Sequence, residues 1–103
     1  MSIDLQTGHL AEVRRILAAL VPDVEAWIFG SRVSGAAKEF SDVDIALVAE
    51  GPLDPGTLAA LDLEFAESDL PMKIDVVDWA RVEPAFRAVI EKNHMVLSSP
   101  AAQ

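Results

Sequence analysis

Two aspartates one residue apart, Asp42 and Asp44, open the apolar run VDIALV, and a third, Asp75, stands inside a second apolar run, KIDVV. An ionised carboxylate is expensive to remove from water, so acids in strand-like segments need a compensating partner. They also constrain the fold. Side chains alternate across a strand, which puts Asp42 and Asp44 on one face, roughly 7 Å apart along the backbone. The alternate positions Val43, Ile45 and Leu47 are all apolar and must meet a core. If the segment Met72–Val77 is the neighbouring strand, Asp75 joins the same face and three carboxylates converge. Two unit charges about 4 Å apart repel by roughly 4 kcal/mol at an effective dielectric near 20. Three such pairs would rival the stability of a small domain, so the acids require a cation or must protonate. Hard oxygen donors with no histidine or cysteine among them point to Mg²⁺ or Mn²⁺.

The rest of the chain supplies the layers such a strand needs. Leu10, Val13, Leu17 and Leu20 recur at helical spacing and predict a helix over 8–20, with Thr7 as N-cap and Pro22 beyond its end. A strand is expected over 24–29, with Ala26 and Ile28 on one face and Trp27 and Phe29 on the other. A short helical turn over 32–37 and a loop over 38–41 lead into the strand 42–49. The turn cluster GPLDPG follows, with Asp54 placed to cap a helix carrying Leu58, Leu61 and Phe65. The strand 72–77 and a last helix over 82–92, with Val82, Phe86, Val89 and Ile90 at core spacing, complete the order. His94–Leu97 offers an edge strand. Helices between strands predict an α/β (α+β) sandwich: a small mixed sheet with helices mainly on one face. The expected domain covers residues 1–97, with a disordered tail over 98–103.

Length and charge narrow the function classes. A chain of 103 residues fits one core. A formal net charge of −9, from 17 acids against 8 bases, argues against direct nucleic-acid binding, which draws its affinity from Lys and Arg on phosphates. An acidic surface suits a basic protein partner or simply solubility. No apolar run approaches a membrane span, and the N-terminal residues lack the basic and apolar regions of a secretion signal. The absence of cysteine rules out thiolate metal sites and agrees with a cytoplasmic setting.

Separated from Asp42 by ten residues, the pair Gly30-Ser31 ends a strand and opens a helical turn. A glycine there lets a phosphate approach the backbone, the serine offers a hydroxyl, and Arg32 offers a charge-assisted contact. A triphosphate held at Gly30, Ser31 and Arg32 would bring its divalent ion to Asp42 and Asp44. That arrangement suits in-line displacement at a phosphorus.

With Gly30-Ser31, Asp42-x-Asp44 and Asp75 in hand, the sequence resembles the DNA polymerase β-like nucleotidyltransferase superfamily. It is most similar to the minimal nucleotidyltransferase branch, the antitoxin half of pairs with HEPN toxins. GSRVSG, SDVDIALV, KIDVVD and PAFRAVIEKNHMVL carry the resemblance over nearly the whole chain. It implies that Asp42 and Asp44 bind both of two Mg²⁺ ions. Asp75 would bind the catalytic ion and help deprotonate the incoming hydroxyl, and Ser31 would contact the β- and γ-phosphates. It further implies ATP as substrate, AMP transfer to a hydroxyl, tyrosine by family habit, and a HEPN RNase toxin as partner and target.

Blander readings stand beside these. Asp42 and Asp44 also fit a strand-entry turn, and Asp75 a half-buried acid paired with Arg32, Lys73 or Arg81. Gly30-Ser31 fits a plain strand-to-helix turn. Arg32 is as well suited to bracing the aspartates as to touching phosphate. Asp78, opposite in parity to Asp75, is expected to cap a turn or helix. His9 and His94 are expected at the surface or at helix ends. A second function class is a binding module, an antitoxin that neutralises its partner by complex formation without chemistry.

Overall fold

In the computed structural model, which describes residues 3–38 and 41–100, four strands form one mixed sheet in the order β3-β2-β1-β4. The chain runs α1 (Thr7–Leu20), β1 (Glu25–Phe29), α2 (Ser31–Ser34), β2 (Val43–Val48), α3 (Pro55–Glu67), β3 (Ile74–Asp78), α4 (Pro84–Lys92) and β4 (His94–Ser98). Central β1 pairs antiparallel with β2 and with β4, while β2 and β3 run parallel. The parallel pair is joined through α3, the crossover length such pairing requires.

Alternation sorts the sheet into two unequal faces. Ala26, Ile28, Val43, Ile45, Leu47 and Ile74 point into the main core, where α1 contributes Val13, Ile16 and Leu17 and α3 contributes Leu61 and Phe65. Arg14 Nε, from α1, donates to Leu97 O at 2.8 Å and ties that helix to the far edge strand. On the other face a smaller cluster gathers Phe29 and Ala46 beneath Ile90 of α4, with Trp27, Val77 and Trp79 around it. Helices α1 and α3 thus share one face, and α4 alone covers part of the other.

Several boundaries differ from expectation for local reasons. Helix α1 starts at Thr7, not after it, because the Gln6 carbonyl already accepts from Leu10 N–H at 2.9 Å; no side chain caps this end. Asp54 does cap α3, accepting from Gly56 N–H at 3.0 Å. Strand β3 extends to Asp78. A 3₁₀ turn, Trp79–Arg81, then delays α4 until Pro84, whose fixed φ suits a first helical turn. Asp78 is buried and caps that turn as expected: it accepts from Leu53 N–H at 2.9 Å and Ala80 N–H at 3.3 Å, with Arg81 at 3.4 Å.

The edge strand is longer than the sequence suggested. Ser98 pairs with Ala26, so the tail expected over 98–103 loses its first residue to the sheet; residues 101–103 lie outside the described residues. So do Glu39 and Phe40 of the expected 38–41 loop. Phe86 and Val89 are the clearest correction. They were assigned to the core by spacing, yet they are 44% and 58% exposed. They share a helix side with buried Ile90, but the sheet beneath α4 covers that side only around Ile90.

Candidate active site

The site forms where β1 ends beside β2 and β3. Register places Asp44 opposite Phe29 on one side and beside Asp75 on the other, so both carboxylates rise from adjacent strands on the face α4 leaves partly open. Gly30 follows Phe29 with φ 80° and ψ −151°, a combination that side chains other than hydrogen strongly disfavour. A Cβ built there would collide with Asp44 Oδ2. The glycine is therefore required twice, for its backbone angles and for the space beside the carboxylate. Its carbonyl accepts from Val33 and Ser34 N–H groups at 3.0 and 3.1 Å, which closes the α2 turn and sets Ser31 at the pocket edge.

These residues line one pocket of about 560 Å³: Gly30, Ser31, Ser34, Asp44 and Asp75 with the apolar side chains Phe29, Val77, Phe86 and Val89, and Asn93. The volume falls in the range of small-molecule and cofactor sites. Asp42 stands outside that lining, exposed at the entry to β2, where the next residue's N–H bonds Lys73 O at 2.9 Å. Its charge still reaches the site. Asp44's carboxyl is held above the ordinary carboxylate range by burial, then by repulsion from Asp75, then from Asp42. Lys73 Nζ lies 3.5 Å from Asp75 Oδ1, a largely exposed pair of little energetic weight.

Two observations bear on whether a divalent ion fits. Among the described residues, no three His, Cys, Asp or Glu side chains are already drawn together at metal-ligating range. Against that, Asp44 experiences both neighbouring carboxylates and is disfavoured as an anion, the electrostatic condition a cation relieves. The donor set is all carboxylate, and Asp42 is an exposed residue free to change rotamer. In donor chemistry the residues fit a hard divalent cation.

Arg32 is placed elsewhere than expected. It is 95% removed from solvent (5% exposed), and its guanidinium serves backbone carbonyls. Nη2 and Nε donate to Ser41 O at 2.8 and 3.3 Å, and Nη1 donates to Asp4 O at 3.0 Å. It faces a separate small cavity with His9 and Lys38, away from Asp44. Its described bonds run to the backbone at Asp4 and at Ser41, the residue before Asp42.

The comparisons with known proteins agree with this geometry. The nucleotidyltransferase domain family matches residues 10–98. This chain belongs to that family. A nucleotidyltransferase relative from Haemophilus influenzae, the probable protein adenylyltransferase MntA, is 45% identical over 95 residues, covering 92% of this chain and 83% of its own length. The fold is shared with a toxin–antitoxin structure containing AMP-PNP, at TM-score 0.74 and 24% identity, over 87% of this chain and 73% of that one. It is also shared with a chain from the complex of tri-AMPylated Shewanella oneidensis HEPN toxin with MNT antitoxin, at TM-score 0.70 and 22% identity, covering 92% and 73%. No helix among the described residues is long and apolar enough to cross a membrane.

Sequence reasoning missed the α4 wall of this nucleotidyltransferase pocket. Phe86 and Val89 of α4, Asn93 just past its end, and Ser34 of α2 all line the pocket. Nothing in the sequence marked the wall, because apolar residues at 82, 86, 89 and 90 make an ordinary amphipathic stripe.

Proposed function

We propose that this chain transfers AMP from ATP to a hydroxyl, by family likeness a tyrosine, of a HEPN-type RNase toxin and so acts as its antitoxin. The observation that carries the reading is the pairing of Asp44 with Asp75 in register beside Gly30, within one pocket of nucleotide size. The 45% identity to a probable protein adenylyltransferase supports protein as the acceptor. Residues 1–97 act as one catalytic domain, and a cytoplasmic setting suits both the substrate and a chain without cysteine.

Gly30 and Ser31 hold the phosphate tail, the glycine by leaving room beside the backbone and the serine by donating its hydroxyl. Asp42, Asp44 and Asp75 are the residues that would hold Mg²⁺, two ions by family likeness, with Mn²⁺ an acceptable substitute. Bound divalent ions supply neutralisation of phosphate and carboxylate charge and lower the barrier at the reacting phosphorus. Asp75, whose side chain is 46% exposed, accepts the proton of the incoming hydroxyl. The hydroxyl oxygen bonds to the α-phosphorus, the bond from that phosphorus to the α,β-bridging oxygen breaks, and pyrophosphate leaves. The partner brings the acceptor hydroxyl to the pocket mouth on its own segment.

Incubation with labelled ATP, Mg²⁺ and the partner toxin tests this. Label on the toxin, lost with Asp44→Asn, is the expected result. An unlabelled toxin that Asp42→Asn plus Asp44→Asn still neutralises would establish the non-catalytic binding module instead.

A further inference from the structure

The pocket has a polar floor and an apolar wall, and only the floor is accounted for by phosphate chemistry. Along β3 the lining passes from Asp75 to Val77 on one face; along α4 it takes Phe86, Val89 and Asn93, spaced three and then four residues apart on one helix side. Phe86 and Val89 are large apolar side chains left half exposed there, and Phe86 meets Phe29 edge-on with ring centroids 5.9 Å apart. Asn93 is exposed, and its backbone is fixed from both sides. Its N–H bonds Ile90 O at 3.2 Å at the end of α4, and the next residue, His94, is paired with Phe29 in the sheet. A charged tail and a flat, mostly apolar head with hydrogen-bonding edges would fill both halves.

We propose that the α4 wall receives the nucleobase, with Phe86 and Val89 against its face and Asn93 on its edge, and that Asn93 sets the preference for adenine over guanine. The inference rests on the nucleotidyltransferase reading above and adds the specificity determinant to it. A carboxamide presents one donor beside one acceptor, which matches adenine's N7 and N6–H; the same edge of guanine offers two acceptors, N7 and O6, and leaves the carboxamide oxygen unpaired. A carboxylate at that position would present two acceptors, matched to guanine's N1–H and N2–H groups.

Calorimetric titration of the full chain with ATP and with GTP, both in Mg²⁺, tests the proposal without requiring turnover. The unaltered protein is expected to prefer ATP. Asn93→Ala should shrink the ATP-to-GTP affinity ratio about tenfold, and Asn93→Asp should shrink it further. Phe86→Ala should weaken both nucleotides alike, by about tenfold, since stacking does not distinguish bases. Variants are compared only where their circular dichroism and Tm show a folded chain. An unchanged ratio in both Asn93 variants, or equal weakening of the two nucleotides by them, overturns the assignment of Asn93. Unchanged affinities in Phe86→Ala overturn the base position and leave that wall to the acceptor. Failure of the unaltered protein to bind either nucleotide removes the nucleotidyltransferase reading itself, an outcome separate from the other two.

Discussion

Replacing Asp44 with asparagine should make the metal-free protein more stable, although it removes a residue the chemistry needs. Adjacent strands lie about 4.8 Å apart, so the carboxylates of Asp44 and Asp75 repel by roughly 3 kcal/mol at an effective dielectric near 20. Asp75's side chain is 46% exposed, and solvent screening brings the recoverable part down to ~1 kcal/mol. For a domain of this size that is a rise in Tm of about 5 °C. The pH dependence follows from the direction of Asp44's shift. Its folded-state pKa lies above the unfolded one, so the folded chain keeps this proton to higher pH. Stability is consequently lost as pH rises from the ordinary carboxylate range through the raised value. Asp44→Asn escapes that loss, and its advantage should be present at neutral pH and vanish in acid, where Asp44 is protonated in both states. Urea or thermal unfolding in chelator, at neutral pH and near pH 3, measures the difference. Millimolar Mg²⁺ should then reverse the ranking, raising the Tm of the unaltered chain and leaving the variant unmoved. A variant less stable than its parent at neutral pH in chelator, or one with the same advantage in acid, would refute the electrostatic account.

Gly30→Ala should destabilise the fold by about 1–3 kcal/mol, from backbone strain alone, and displace Asp44; loss of both Tm and nucleotide affinity checks it. Arg32→Ala removes guanidinium bonds that include those to Ser41 O and Asp4 O and should cost about 2–4 kcal/mol in denaturant unfolding. If Arg32 instead held phosphate, its loss would show first in nucleotide affinity, with Tm preserved. Asp78→Ala orphans the Leu53 and Ala80 N–H groups and should cost about 2–3 kcal/mol, read as a lower Tm.

What the sequence disclosed and what it hid have different physical origins. Alternation in a strand is strictly local, so Val43, Ile45 and Leu47 inward with Asp44 outward were legible from period alone, and the structure bears that out. Gly30 was legible as a turn residue with room for a phosphate beside it, but its closeness to Asp44 was not, because that contact comes from the neighbouring strand. Arg32 was not, since a long side chain next to a turn can swing to either side, and the carbonyls that capture it come from residues 4 and 41. Phe86 and Val89 were misassigned because helical spacing reports which residues share a side, not how much of that side a neighbour covers.

That last distinction also explains why the acids are tolerated at all. Nearly all the large buried side chains lie on the face beneath α1 and α3, so the fold's stability does not depend on the other face being sealed. Helix α4, held through Ile90 over Phe29 and Ala46, closes only part of it. The uncovered remainder keeps Asp44 and Asp75 near water while giving them an apolar wall. Extending α4 to bury Phe86 and Val89 would strengthen the core and close the pocket. The exposure of those two side chains is therefore a condition of the site, and filling it with larger apolar residues, as in Val89→Phe, should raise Tm while lowering nucleotide affinity.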